Sequence, residues 1–154
     1  MNSEIIFENL KELVKAKNAA HESMFKLHWK KMWPFNLIWP QVDYIRIVRF
    51  MGEIQQKSEE QKSLVQQALA KAEPIEKPFL KTVPAYLDAL KDSCQKLSKV
   101  AQWKQDLLEK KIKRDVFQFN SILKDYEKSQ ADLVRAGAFV QTTWLDIAPK
   151  GEQK

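Results

Sequence analysis

The side chains that most readily do acid–base, nucleophilic or metal chemistry are few in this 154-residue chain: His21, His28 and Cys94, with scattered carboxylates. The two histidines are seven residues apart, so on a helix they share a face about 10 Å apart along the axis. That is too far for joint metal ligation without a third element. A lone cysteine supplies neither a second thiolate nor a disulfide, and it fits a reducing compartment. Histidines flanking a core stripe are the expectation. Glu59 and Glu60 fall in a polar stretch where carboxylates are ordinarily solvated, and Asp43 and Asp125 merely adjoin aromatics. The sequence contains no serine-hydrolase elbow, HExxH pair, Walker phosphate loop or EF-hand loop. No catalytic, cofactor-binding or metal-binding residue is assigned, and a non-enzymatic protein is expected.

Binding chemistry is better represented. Between Phe25 and Phe50 the chain interleaves Trp29, Trp33, Phe35, Trp39 and Tyr44 with Lys26, Lys30, Lys31, Arg46 and Arg49. Tryptophan and tyrosine favour the water–membrane interface, and lysine stems cover apolar surface while their ammonium groups reach phosphates. Such a mixture suits an interfacial wedge with a cationic rim. The same residues could stack single-stranded bases, form a core knot between helices, or contact a partner protein. A second basic feature is the run Lys110, Lys111, Lys113 and Arg114; on a helix, positions 110, 113 and 114 share one side. With Lys104 and Lys124 it makes a positive band, worth about 1 kcal/mol per charge near an anionic surface. A solvated helix face is the alternative. The net charge of +6 suits an anionic membrane or nucleic acid, with nucleic acid the less supported of the two.

The elements that position these residues follow from what the chain lacks. Three glycines, at 52, 137 and 151, are far too few for β-sandwiches, barrels or Rossmann units. Apolar residues at 44% exclude disorder, and 30% charge excludes a membrane bundle. The acid-bearing N-terminus does not read as a signal peptide, and no apolar run reaches the ~18 residues of a membrane span. Prolines divide the rest into a single domain over 1–154. A first helix is expected over 3–33, with a stripe at Ile6, Leu10, Leu13, Ala20, Met24 and Leu27 broken by Lys17. An aromatic, proline-containing turn over 34–40 follows. A second helix over 41–72 loses its apolar pattern across 55–63, which suggests that it projects past its own core. A proline-rich turn spans 73–84. From Ala85 to Ala136 there is neither glycine nor proline, so one long helix over 85–147 is expected, roughly 80 Å if continuous through residue 136. Its stripe runs Leu87, Leu90, Cys94, Leu97, Ala101, Leu108, Ile112, Val116, Phe119, Leu123, Tyr126, Leu133 and Val140.

Asp43-Tyr-Ile-Arg-Ile-Val, the turn at Lys77-Pro78, Ile112-Lys-Arg-Asp-Val-Phe-Gln-Phe, Lys124-Asp-Tyr and Trp144-Leu-Asp-Ile-Ala-Pro together resemble helices two and three of sorting-nexin-type BAR domains. The resemblance covers about 100 residues, from Asp43 to Pro149. It implies a dimeric, curved helical bundle that binds and shapes endosomal membranes, with Lys110, Lys111, Lys113 and Arg114 as headgroup contacts. The first helix and its WPFNLIWPQ turn do not match that family, and no phosphoinositide-binding PX domain precedes the region.

The expectation is an all-α, elongated, coiled-coil-like bundle of three to four long helices without cofactors. It would self-associate as a homodimer or hetero-oligomer and act in the cytoplasm as a scaffold or adaptor, peripherally attached to anionic membrane. Lys26, Trp29, Lys30, Lys31, Trp33, Phe35, Trp39, Lys110, Lys111, Lys113 and Arg114 would make the contacts. The alternative is a soluble interaction module, a chaperone or complex subunit, whose aromatic cluster binds a partner protein.

Overall fold

The computed structural model describes residues 2–25 and 42–148. They form four helices, α1 Asn2–Phe25, α2 Tyr44–Lys71, α3 Lys77–Leu108 and α4 Val116–Leu145, with no strand among the described residues.

Heptad-like burial builds each helix. In α1 the buried set is Ser3, Ile6, Leu10, Leu13, Lys17, Ala20 and Met24, alternating steps of three and four. Lys17 does not break this stripe; it occupies a slot in it. The same holds in α2, where Ile47, Met51, Ile54, Ser58, Val65 and Ala68 are buried. The stretch 55–63 therefore does not project past the core. Ser58 fills the inward position, and its hydroxyl donates to the Ile54 carbonyl at 2.8 Å, which removes the cost of burying it.

Contacts between helices fix the topology. Asn9 meets Gln61, Lys62 meets Asp88, Lys91 meets Glu59, and Thr82 meets Thr143. Lys62–Asp88 and Glu59–Lys91 run in opposite senses along α2 and α3, and Thr82–Thr143 and Trp103–Gln118 do so along α3 and α4. Ile6 shares a groove with Ala68 while Ala20 shares one with Ile47, so successive helices are antiparallel. Helix α1 also lies beside α4, where His21 meets Tyr126. The result is an up-down-up-down bundle, elongated along helices of up to 32 residues, roughly 48 Å. At the end holding the α1 N-terminus, Phe7 stacks on Trp144 with ring centroids 4.4 Å apart, and Phe79 packs against both.

The expected single helix over 85–147 is two helices. α3 starts before it, at Lys77, with Pro78 in the first turn and Pro84 inside the helix, so the proline-rich turn shrinks to about 72–76. α3 then ends at Leu108. Lys110 adopts φ 57°, Lys111 N–H donates to the Asp106 carbonyl at 2.9 Å, and Lys110 N–H donates to Leu107. This is a Schellman-type stop with lysine where glycine is usual. The next helix is started by Asp115, whose carboxylate accepts from Gln118 N–H at 3.1 Å. A left-handed lysine followed by an aspartate cap thus stops and restarts the chain without glycine or proline.

Gly52 and Gly137 both lie inside helices. A Cβ at Gly137 would stand 3.2 Å from Tyr86 Cε2, so this glycine serves the close approach of α4 to α3.

Candidate functional site: a basic, apolar end of the bundle

Because α1 and α3 run parallel, Phe25, Val42 and the 109–115 connection all lie at one end of the bundle. The aromatic and lysine residues Lys26, Trp29, Lys30, Lys31, Trp33, Phe35 and Trp39 lie outside the described residues, as do the expected 34–40 turn and His28. The chain leaves α1 and re-enters α2 at this end.

Here Lys110, Lys111, Lys113 and Arg114 do not form a band along a helix; they make up the short connection itself, all four exposed. Lys111 Nζ pairs with Glu109 Oε2 at 2.6 Å, and Gln105 Nε2 donates to the other carboxylate oxygen at 2.6 Å. The bonds from Lys111 and Gln105 hold the Glu109 carboxyl below its ordinary pKa. Arg114 makes no ion pair among the described residues. Four cations against Glu109 and Asp115 leave this segment with a net charge of +2.

The connection is flanked by apolar side chains that the stripe had placed inside. Leu108 and Val116 are exposed, and Phe117 is 88% exposed. Ile112, Phe119 and Leu123 are only partly covered. The reason is geometric: the stop at Leu108 ends the register before these positions can turn inward. Phe117 was missed by sequence reasoning, although it sits off the core spacing and directly beside the basic run. Behind it, Trp103 and Phe119 pack with centroids 4.7 Å apart, Trp103 Nε1 donates to Gln118 Oε1 at 3.3 Å, and Lys104 Nζ lies 5.4 Å from the Phe119 ring.

A second polar constellation lies inside the bundle. Lys17 is fully buried, donates to Gln130 Oε1, and sits 5.0 Å from the centre of the Tyr126 ring. Tyr126 Oη and Gln130 Nε2 approach His21 Nδ1 at 2.7 and 3.3 Å. With both as donors, Nδ1 is the acceptor and the ring is the neutral Nε2–H tautomer. Burial lowers the His21 pKa, Lys17 lowers it further, and Glu22 acts in the opposite sense. Burial brings Lys17 down to about 8, and pushes Cys94 up to about 12. An amine near 8 is a usable nucleophile, but this one has no exposed surface. The network is structural: His21 flanks the stripe as expected, and a thiol held at about 12 is inert.

No group of three or more His, Cys, Asp or Glu side chains among the described residues could hold a metal ion, and no described helix is long and apolar enough to cross a membrane. Comparison with protein-family models, curated proteins and solved structures returns no match.

Proposed function

We propose that the protein is a helical scaffold or adaptor that attaches peripherally to anionic membrane through the basic end of its bundle. The observation that carries this reading is Phe117, 88% exposed at the start of α4 beside four cations in one short connection. Burying an exposed phenylalanine in an apolar phase is worth about 1.5–3 kcal/mol, and each cation near an anionic leaflet adds about 1 kcal/mol. Neither suffices alone, but together they suit reversible attachment. Phe25 and Val42, which flank the aromatic, lysine-rich segment in the sequence, lie at this same end.

Co-sedimentation with vesicles containing phosphatidylserine, at low and high salt, tests the proposal. Binding at low salt that weakens at high salt is expected; absence of binding at low salt overturns it. The endosomal membrane-shaping role implied by the BAR resemblance further needs a dimer, which sedimentation equilibrium reads directly. A soluble partner-binding module is the other reading, favoured by the exposed Val134 and Phe139 on α4. It expects tryptophan fluorescence indifferent to lipid.

A further inference from the structure

Beside the basic connection, between the start of α2, the end of α3 and the start of α4, lies a cleft of about 350 Å³. Its walls are of two kinds. Trp103, Leu107 and Phe119 give an apolar lining, with the indole held in place by its bond to Gln118. Lys104 and Arg114 bring two cations, and Tyr44 brings a phenol. Arg114 makes no ion pair among the described residues, and its planar guanidinium suits bidentate contact with a phosphate. The volume is that of a small-ligand pocket, too small for a whole phospholipid but adequate for a headgroup and the first part of an acyl chain.

We infer that this cleft binds a single anionic phospholipid with a compact phosphate headgroup, the phosphate between Lys104 and Arg114 and the ester end of a chain against Trp103, Leu107 and Phe119. The inference rests on the membrane reading and deepens it, replacing attraction to a charged surface by a defined lipid site. An apolar ligand alone would leave the Arg114 guanidinium without an anionic partner. A free phosphate alone would leave the aromatic wall unused. The occupant must carry both features.

The test is a titration of the full chain with dihexanoyl phosphatidic acid below its micelle-forming concentration. It is followed by NMR on the Trp103 indole N–H, assigned through Trp103→Phe. A saturable shift is expected, at least tenfold weaker for Lys104→Gln and Arg114→Gln, with both variants melting as the parent does. Should either variant lose its fold, the other and the comparator lipids still decide. Dihexanoyl phosphatidylcholine and inorganic phosphate should each bind at least tenfold more weakly. No saturable shift, equal binding of the choline lipid, equal binding of inorganic phosphate, or unchanged affinity in a folded charge variant would each overturn the site. Vesicle binding without the indole shift rejects the cleft and keeps the membrane reading. An indole shift without vesicle binding does the reverse.

Discussion

Replacing Lys17 by methionine should stabilise the protein at neutral pH, and the gain should fade as pH rises. Lys17 has no exposed surface, and burial lowers its pKa from 10.5 to about 8. A gap of about two and a half pH units at about 1.36 kcal/mol each means that holding the charged lysine in the core costs about 3 kcal/mol. Below pH 8 lysine is protonated in both folded and unfolded chains, so the cost is present in full. Between about pH 8 and 10.5 the folded lysine is neutral while the unfolded one still holds its proton, and the cost disappears as pH rises. Methionine keeps the length of the side chain without the charge. It forfeits the bond to Gln130, worth about 1 kcal/mol, and Gln130 is only half-buried and can turn to water. The expected net gain is about 2 kcal/mol at pH 7, read from urea unfolding midpoints, falling to about zero or below at pH 10. Cys94, whose thiol burial holds at about 12, acts with the opposite sign, losing stability as pH rises above its unfolded value. Lys17 pulls the pKa of that thiol downward, so without it the thiol is pushed further up. The variant then loses more stability at high pH, in the same sense as the expected decline. A Lys17→Met variant less stable than its parent at pH 7, or a difference that stays constant from pH 7 to 10, would refute the reasoning.

Other expectations concern single positions. Gly52→Ala should raise stability by about 0.5–1 kcal/mol in thermal or urea unfolding, since nothing lies within 4 Å of its Cβ and alanine is the better helix former. Gly137→Ala should gain less or lose, because Tyr86 must give way by a few tenths of an ångström. Lys110→Gly should stabilise by up to about 1 kcal/mol, relieving the left-handed backbone at φ 57°; clear destabilisation would argue against the stop after α3. Ser93→Ala should be neutral or stabilising by about 1 kcal/mol, because the buried Ser93 hydroxyl has no hydrogen-bond partner among the described residues.

Much of the bundle is legible in the sequence, and what is not has identifiable causes. The scarcity of glycine leads to an all-helical chain, and the stripe from Ile6 to Met24 is the buried face of α1. Reading polar residues as interruptions was the first error. Lys17 and Ser58 keep the core register because each finds a hydrogen-bond acceptor inside, and a hydropathy pattern records only the side chain, not its partner. Reading the absence of glycine and proline as continuity was the second. Asp115 is a recognisable N-cap before Val116, but a lysine in the left-handed region carries no compositional mark. That one break converts an expected rod into two antiparallel helices and moves the basic run from a helix side to a turn. It also exposes Leu108 and Val116, which the stripe had placed inside. The run itself, Lys110 to Arg114, was visible from the start; its apolar company was not, since exposure there depends on where α3 stops.

The most direct test of membrane attachment compares the two ends of the bundle. Cys94 is fully buried, so a cysteine introduced at exposed Asn120, near the basic connection, or at exposed Ile75, in the α2–α3 turn, can carry an environment-sensitive dye. Vesicles containing phosphatidylserine should shift the emission of the dye at position 120 to the blue and leave that at 75 unchanged, with neutral vesicles affecting neither. A shift at 75 alone, equal shifts at both ends, or no shift at 120 would contradict attachment through the basic end.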